Sequence, residues 1–188
     1  MKKIVLFASG NGSNVENIIQ YFKNNPNVSV VGVFTNNQHA KVLERAKNHS
    51  IYYQSFTKSE LNDGTVFDKI LSLNPDLIVL AGFLLKFPES LINAFPNKII
   101  NIHPALLPKY GGKGMYGNHV HQTILENKEK ETGITIHYVN KNYDEGEFIL
   151  QKSVNIEDCI TFEEIAEKVH KLEHEHFPKA IERLLSLI

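Results

Sequence analysis

Short apolar runs alternate with amphipathic segments along the first hundred residues of the chain. This alternation is typical of β-α-β units that build a parallel sheet. Because the predicted strands are apolar almost throughout, we expect both faces of the sheet to be covered by helices. The predicted strands are residues 4–8, 28–34, 51–54, 77–80 and 99–102, and the predicted helices are 15–22, 39–48, 65–73 and 88–95.

The pattern changes after Ile102. Residues 101–119 contain two prolines and four glycines, too many for the interior of an element, so a long loop is predicted there. Beyond this loop the pattern predicts a short helix, two strands with a polar connection, and a long C-terminal helix from Thr161 that Pro178 should kink. The short helix is 120–126, the strands are 134–139 and 148–154, and the connection is 140–147.

These elements predict an α/β fold with a Rossmann-like doubly wound sheet. The sheet should be parallel in the N-terminal half, with mixed strands toward the C-terminus and a long C-terminal helix. We expect one domain over residues 1–188, a length at which two full domains are improbable.

Composition and charge exclude several classes of protein. A hydrophobic content of 42% is too high for a disordered chain, and a net charge of -1 gives no general attraction to nucleic acid or anionic membranes. The longest apolar stretch, residues 77–85, is too short to cross a bilayer. The single Cys159 cannot form an internal disulfide, so we expect a reducing compartment, the cytoplasm by default.

The loop after the first predicted strand reads Ser9-Gly10-Asn11-Gly12-Ser13-Asn14. Glycines permit close approach of the backbone, and the free N–H groups of a helix start attract an anion, so a phosphate would fit there. The sequence matches neither the dinucleotide fingerprint nor a Walker loop. The alternative is a tight turn in which Ser13 or Asn14 caps the helix.

Asn101 and His103 lie at the carboxyl end of a predicted strand, where ligands bind in open α/β sheets. In an extended backbone both face the same side, and together they supply an amide donor and an imidazole for acyl transfer. Asp144, in the polar loop 140–147, would complete an acid-base pair if the fold brings it to His103. A packed strand end and a solvated loop carboxylate are the alternatives.

The remaining histidines and acids indicate no metal site. His119 and His121 lack other ligands nearby in sequence, so an exposed pair is expected. Glu173, among the histidines of the last helix, reads as part of a solvated helix face.

Taken together, these segments resemble the phosphoribosylglycinamide formyltransferases, folate-dependent enzymes of purine synthesis. The block Asn101-Ile102-His103-Pro104, followed by Leu107-Pro108 and a downstream Asp144, is similar to the motif shared by formyl transferases. Among the formyl transferases, the loop from Gly10 to Asn14 resembles that of the phosphoribosylglycinamide enzymes in particular. The resemblance covers nearly the whole chain, and it also includes residues 80–83, 133–139, 144–146 and 149–151.

The resemblance implies a function and a role for each site residue. The donor would be 10-formyltetrahydrofolate and the acceptor phosphoribosylglycinamide, with direct attack of the amine, no metal, and no nucleic-acid or membrane partner. Residues 1–100 would form the phosphate-binding half, and residues 101–188 the catalytic and folate-binding half. The implied residues are Asn101, His103 and Asp144 for catalysis; Gly12, Ser13 and Asn14 for the phosphate; Glu173 for the acceptor; and Leu84, Leu85, Lys86, Phe87, Val139 and Asn140 for the folate.

The chain departs from the family pattern at two places, and two other functions remain as alternatives. The Gly-rich segment 111–118 is longer than in many relatives, and Lys86 stands one residue beyond the expected basic position. A formyltransferase for an amino-sugar nucleotide is the nearest alternative, and a non-catalytic nucleotide-binding module of flavodoxin-like fold is the alternative from another class. A homodimer is compatible with either enzyme.

Overall fold

The computed structural model describes residues 1–187, and its centre is a seven-stranded sheet with the strand order β3-β2-β1-β4-β5-β6-β7. The first five strands along the chain pair in parallel, whereas β6 is antiparallel to β5 and β7 antiparallel to β6. This confirms the predicted fold class. The strands are β1 Lys2–Phe7, β2 Val28–Thr35, β3 Tyr53–Ser55, β4 Leu77–Leu80, β5 Ile99–His103, β6 Glu131–Tyr138 and β7 Phe148–Asn155.

Helices cover both faces of the sheet. The helices are α1 Ser13–Phe22, α2 Val42–Asn48, α3 Lys58–Asn62, α4 Thr65–Leu73, α5 Glu89–Ala94, α6 Asn118–Glu126 and α7 Phe162–Leu185. Apolar residues of α1, α2, α6 and α7 belong to one buried cluster, and those of α3, α4 and α5 belong to another. Alternate residues of the central strands enter the two clusters, Ile4 and Leu6 on one side and Val5 and Phe7 on the other. The period of two in a strand thus produces the two cores.

The strand order places a crevice between β1 and β4. The chain runs outward from β1 through β2 to β3, then returns to the other side of β1 as β4 and continues to β5. Ligands of open α/β sheets bind beyond the carboxyl ends of the strands at such a reversal. Three of the connections that follow strands therefore meet at this place, namely those after β1, β4 and β5.

The structure corrects the predicted start of α2. The predicted helix 39–48 begins only at Val42, because residues 37–40 form a turn. The Oδ1 atom of Asn37 accepts the N–H of His39 at 2.9 Å, a local bond that competes with helical pairing.

The other differences from the sequence pattern concern short elements and loop ends. Helix α3, with a capping box formed by Thr57 and Glu60, was not predicted, and the edge strand β3 lies at Tyr53–Ser55 instead of 51–54. Helix α7 continues through Pro178 as a single element of 24 residues.

Two kinds of feature are absent from residues 1–187. No helix within that range is both long enough and apolar enough to span a membrane. The same residues contain no group of three or more His, Cys, Asp or Glu side chains placed to hold a metal ion.

Candidate active site

A cavity of about 820 Å³ opens at the carboxyl ends of β1, β4 and β5. The loop after β1, the connection after β4, the end of β5, the Gly-rich segment before α6, the β6–β7 loop and α7 all contribute to its wall. The size is that of a pocket for a small organic ligand. All thirteen site residues expected from the sequence line this one cavity, namely Gly12, Ser13, Asn14, Leu84, Leu85, Lys86, Phe87, Asn101, His103, Val139, Asn140, Asp144 and Glu173.

Asn101 and His103 lie in the carboxyl-terminal half of β5. The alternating residues Ile100 and Ile102 belong to the core that contains α1 and α7. Asn101 and His103 therefore face the other side of the sheet. His103 is 3% exposed and Asn101 is half-buried. The expectation that both side chains share one face is thereby confirmed.

The hydrogen bonds of His103 determine which of its ring nitrogens is available. Its Nε2 atom lies 2.7 Å from the backbone carbonyl oxygen of Tyr110. Because a carbonyl only accepts, Nε2 carries a hydrogen, and Nδ1 is left to face the Asp144 carboxylate 3.6 Å away. Burial lowers the pKa of His103, and the negative charge of Asp144 opposes this shift.

Asp144 reaches this position through the conformation of the β6–β7 loop. Its φ of 55° lies in the left-handed region, which aspartate tolerates better than most residues. Gly146 follows, and a Cβ atom there would lie only 1.6 Å from the carbonyl oxygen of Tyr138, so no larger residue fits. The Gly112 N–H donates to Asp144 Oδ2 at 2.9 Å. Burial alone would raise the pKa of Asp144, but hydrogen bonding and positive charge from His137 and His103 in their protonated forms, together with this N–H, outweigh it and lower the pKa.

His137 lies beside both Asn101 and Asp144, and it was not identified as a site residue from the sequence. It lies directly across from Asn101 in the antiparallel pair β5–β6, and it is 3% exposed. Its Nδ1 donates to the carbonyl oxygen of Tyr138 at 2.8 Å, so the Nε2 of the neutral ring accepts the Asn101 Nδ2–H at 3.1 Å. The same Nε2 is 3.6 Å from Asp144 Oδ1. His137 therefore fixes the orientation of the Asn101 amide, and only the cross-strand register, seen in the structure, could have revealed it.

The loop after β1 supplies free backbone donors to the cavity. Gly12 is the residue before α1, with φ 72°, and no side chain caps the helix. The alternative in which Ser13 or Asn14 caps α1 is therefore wrong. A Cβ at Gly12 would lie 2.4 Å from a methyl group of Val42, so glycine is required by both the backbone angle and the packing. The first N–H groups of α1 remain without helical partners and attract an anion.

Glu173 on α7 closes the same end of the cavity. Its side chain is 14% exposed, and the Nδ2 of Asn14 donates to its Oε2 at 2.9 Å. Burial raises the pKa of Glu173 to about 7, although the bond from Asn14 opposes the shift. The reading of Glu173 as part of a solvated face is therefore wrong. The Oδ1 of Asn14, a residue 9% exposed, has no partner among the described residues.

Two further histidines line this end of the cavity. His121 on α6 is 6% exposed rather than on the surface as expected, and burial lowers its pKa to about 4. The Nδ1 atoms of His121 and His170 are buried and have no hydrogen-bond partner among residues 1–187. Buried polar atoms are normally paired, so these are open to a polar ligand. The helical spacing of His170 and Glu173 in α7, three residues apart, was the available sequence signal.

The apolar wall of the cavity comes from the connection after β4. The Ser9 hydroxyl accepts the Leu84 N–H at 2.9 Å and donates to Asn36 Oδ1 at 2.6 Å, which joins this connection to the loop after β1. Leu84 is 46% exposed, whereas Phe87 is 4% exposed and packs edge-on against Phe7 at a ring distance of 5.2 Å. Phe87 is thus as much a core residue as a wall of the cavity.

The similarity of this chain to known proteins identifies its family. Residues 2–181 match the family described as Formyl transferase. The chain belongs to the formyl transferase family. A Bacillus subtilis relative named phosphoribosylglycinamide formyltransferase is 37% identical over 193 residues, which cover 100% of this chain and 96% of that protein.

Other members of the formyl transferase family agree in sequence and in fold. The chloroplastic phosphoribosylglycinamide formyltransferase of Arabidopsis thaliana is 36% identical, and this chain covers only 64% of its length. The crystal structure of phosphoribosylglycinamide formyltransferase from Bacillus halodurans superposes with a TM-score of 0.88 at 34% identity, covering 98% of this chain and 96% of that chain. The fold of this family member is therefore shared over nearly its whole length.

The raised pKa of Glu173 generates a prediction about stability. The folded chain keeps a proton that the unfolded chain releases near pH 4.5, so the stability from this group is complete below that pH and is lost as the pH rises through about 7. Glu173→Gln does not titrate. Between pH 4.5 and pH 8, its free energy of unfolding should therefore rise relative to the unsubstituted protein by up to about 3 kcal/mol.

Denaturant unfolding at a series of pH values measures this difference. Glu175→Gln is the matched control, since Glu175 lies on the same helix with a side chain 59% exposed. A constant difference between Glu173→Gln and the parent across the pH series would contradict the buried, protonated carboxyl.

The hydrogen bonds of His137 predict its tautomer. In the uncharged imidazole, Nδ1 should carry the hydrogen and Nε2 should be free of it, because the acceptor at Nδ1 is a carbonyl and the donor at Nε2 is an amide. Nitrogen-15 NMR of histidine-labelled protein distinguishes the two ring nitrogens, and a His137→Gln variant assigns the signal. An uncharged imidazole with its hydrogen on Nε2 would show that the Asn101 amide is turned the other way.

Proposed function

We propose that the chain transfers the formyl group of 10-formyltetrahydrofolate to the amine of 5'-phosphoribosylglycinamide, in the de novo synthesis of purines. The observation that carries the proposal is the grouping of Asn101, His103 and Asp144 in one cavity, whose wall also contains the anion-attracting loop after β1 and the apolar residues 84–87. The names of the relatives in Bacillus subtilis and Arabidopsis thaliana support the same reaction.

The acceptor occupies the end of the cavity formed by the loop after β1. Its phosphate accepts hydrogen bonds from the backbone N–H groups at Gly12, Ser13 and Asn14, where the helix dipole favours a negative charge. Glu173, uncharged at mildly acidic pH, binds the hydroxyl or amide groups of the acceptor beside the Asn14 side chain. This end requires an anionic group and several polar groups in the ligand, which a ribose phosphate provides.

The folate donor occupies the opposite end. Residues 84–87 and the backbone of Val139 and Asn140 form the wall for the pterin ring, with Lys86 near its polar end. The first half of the chain then binds the phosphate, and the second half carries the catalytic groups and part of the folate site.

The reaction is a direct attack on the formyl carbon. The neutral amine of the acceptor adds to this carbon, and the developing oxyanion accepts hydrogen bonds from Asn101 Nδ2 and from protonated His103 Nδ1. The Asp144 carboxylate and then the developing oxyanion favour this proton on His103 against the effect of burial, and His103 keeps it throughout the reaction. Asp144 accepts the proton of the attacking amine and returns it to N10 of the folate, which leaves as the carbonyl re-forms.

The state of Asp144 suits this role. Its lowered pKa keeps the carboxylate ionised throughout the neutral range, so it is ready to accept a proton. His137 holds the Asn101 amide so that its remaining N–H is free for the oxyanion.

The proposal extends to the acceptor class and the compartment. None of the relatives and structures reported above acts on an amino-sugar nucleotide by name, so that acceptor is not adopted. The thiol of Cys159 is compatible with the reducing conditions of the cytoplasm.

Substitution of the three central residues tests the proposal. Asn101→Ala and His103→Ala should each lower kcat by roughly a hundredfold to a thousandfold, because each removes one donor to the oxyanion. Asp144→Asn should abolish measurable turnover, since it cannot accept the amine proton. The rate of deformylation of 10-formyltetrahydrofolate in the presence of phosphoribosylglycinamide, followed by folate absorbance, measures these effects.

Exposed residues of the same types provide the controls. His119→Ala and Asp158→Asn should keep the parental rate, as both positions are exposed on the surface. A folded His103→Ala protein with normal activity would refute the assignment of the site. Folate hydrolysis that does not depend on the acceptor would refute the transfer itself.

A further inference from the structure

Helix α2 supports the loop after β1 at three successive residues. The Val42 N–H donates to the carbonyl oxygen of Gly10 at 3.2 Å, and the Val42 side chain packs directly against Gly12. Between them, Arg45 donates from Nε to the backbone oxygen of Asn11 at 2.8 Å and from Nη2 to the Asn11 Oδ1 at 3.0 Å. A planar guanidinium that binds two acceptors of one residue restricts both its backbone and its side chain.

Arg45 also belongs to a small ion cluster at the start of α1. Its Nη1 lies 3.6 Å from Glu16 Oε2, and His49 Nε2 lies 2.6 Å from Glu16 Oε1. Burial would raise the pKa of Glu16, but the contacts with His49, Gln20 and Arg45 outweigh it and lower the pKa, so the carboxylate is ionised. A negative charge therefore lies in the first turn of α1, the helix end at which the acceptor phosphate is proposed to bind.

These two charges act on the phosphate loop in opposite directions. A carboxylate in the first turn of a helix competes with an anionic ligand for the N–H groups and the positive end of the helix dipole. The guanidinium of Arg45 offsets that charge and holds the backbone of Asn11 next to Gly12. Neither residue lines the cavity, so both would act on the ligand through the loop.

We propose that Arg45 is a positioning residue for the phosphate of the acceptor, and that Glu16 limits its effect, so that the pair sets the affinity of residues 10–14 for a phosphate monoester. The inference rests on the proposed function for the identity of the acceptor. It concerns the phosphate end only and leaves the folate end unchanged.

Substitution of Arg45 gives the first part of the test. Arg45→Met should raise the KM for phosphoribosylglycinamide about tenfold, the effect of losing a charge-assisted pair of hydrogen bonds, with little change in kcat or in the KM for the folate donor. Arg45→Lys keeps the charge but cannot donate to both acceptors of Asn11, so its KM should lie between those of the unsubstituted protein and Arg45→Met. Arg183→Met, at an exposed position in the last turn of α7, is the matched control.

Substitution of Glu16 gives the second part, with the opposite sign. Glu16→Gln should lower the KM for phosphoribosylglycinamide about threefold, because it removes a charge that opposes the phosphate. Glu44→Gln, exposed on α2 and outside the cluster, controls for a general change of surface charge. If the cluster had a purely structural role, Glu16→Gln would bind phosphoribosylglycinamide more weakly than the unsubstituted protein or equally well, and never more tightly.

Equilibrium binding separates this inference from the proposed function. Ribose 5-phosphate is titrated into nitrogen-15-labelled protein, and the amide signals of residues 12–14 are followed. Weaker binding by Arg45→Met together with tighter binding by Glu16→Gln supports the inference, whatever the turnover of the enzyme. Equal binding by the two variants, an equal loss in both, or no shift of these amides in the unsubstituted protein overturns it. Failure of formyl transfer alone would refute only the proposed function.

Discussion

The antiparallel pairing of β6 with β5 is the interaction on which the candidate site depends. It places His137 opposite Asn101, and the loop that follows β6 brings Asp144 to within 3.6 Å of both His103 Nδ1 and His137 Nε2. The requirement for glycine at position 146, where the loop passes against the Tyr138 carbonyl, follows from the same approach.

The different neighbours of the two buried carboxylates of the cavity then shift their pKa values in opposite directions. Asp144 is surrounded by two histidines and a backbone donor, so its pKa is lowered despite burial. Within residues 1–187, the side chain of Glu173 has a single hydrogen-bond partner, the amide of Asn14, and burial raises its pKa to about 7. One acid is therefore an acceptor of protons, and the other is a donor of hydrogen bonds near neutral pH. Their environments match two parts of the cavity: the group around His103, where a proton is proposed to move, and the end at the loop after β1, where a polar ligand is proposed to bind.

Much of the fold was readable from the sequence, because apolar runs of strand length and helical periods dominate the first hundred residues. The candidate residues Asn101 and His103 followed from the period of two in a strand that ends at a ligand-binding edge. The role of His137 was not readable, since it depends on the register between β5 and β6. The start of α2 was misjudged because Asn37 bonds locally to the backbone, and the burial of His121 and Glu173 depends on how α6 and α7 pack beside α1. These features arise from contacts between residues far apart in the chain.

The central claim is that the cavity moves a formyl group intact from a folate to an amine. Carbon-13 NMR of a reaction with 10-formyltetrahydrofolate labelled at the formyl carbon, mixed with phosphoribosylglycinamide and the purified protein, tests this directly. The account predicts that the label moves from the folate signal to the formamide of the acceptor, without accumulation of free formate, and that Asp144→Asn prevents the transfer. Appearance of the label as formate, or its transfer at an undiminished rate by Asp144→Asn, would contradict the account.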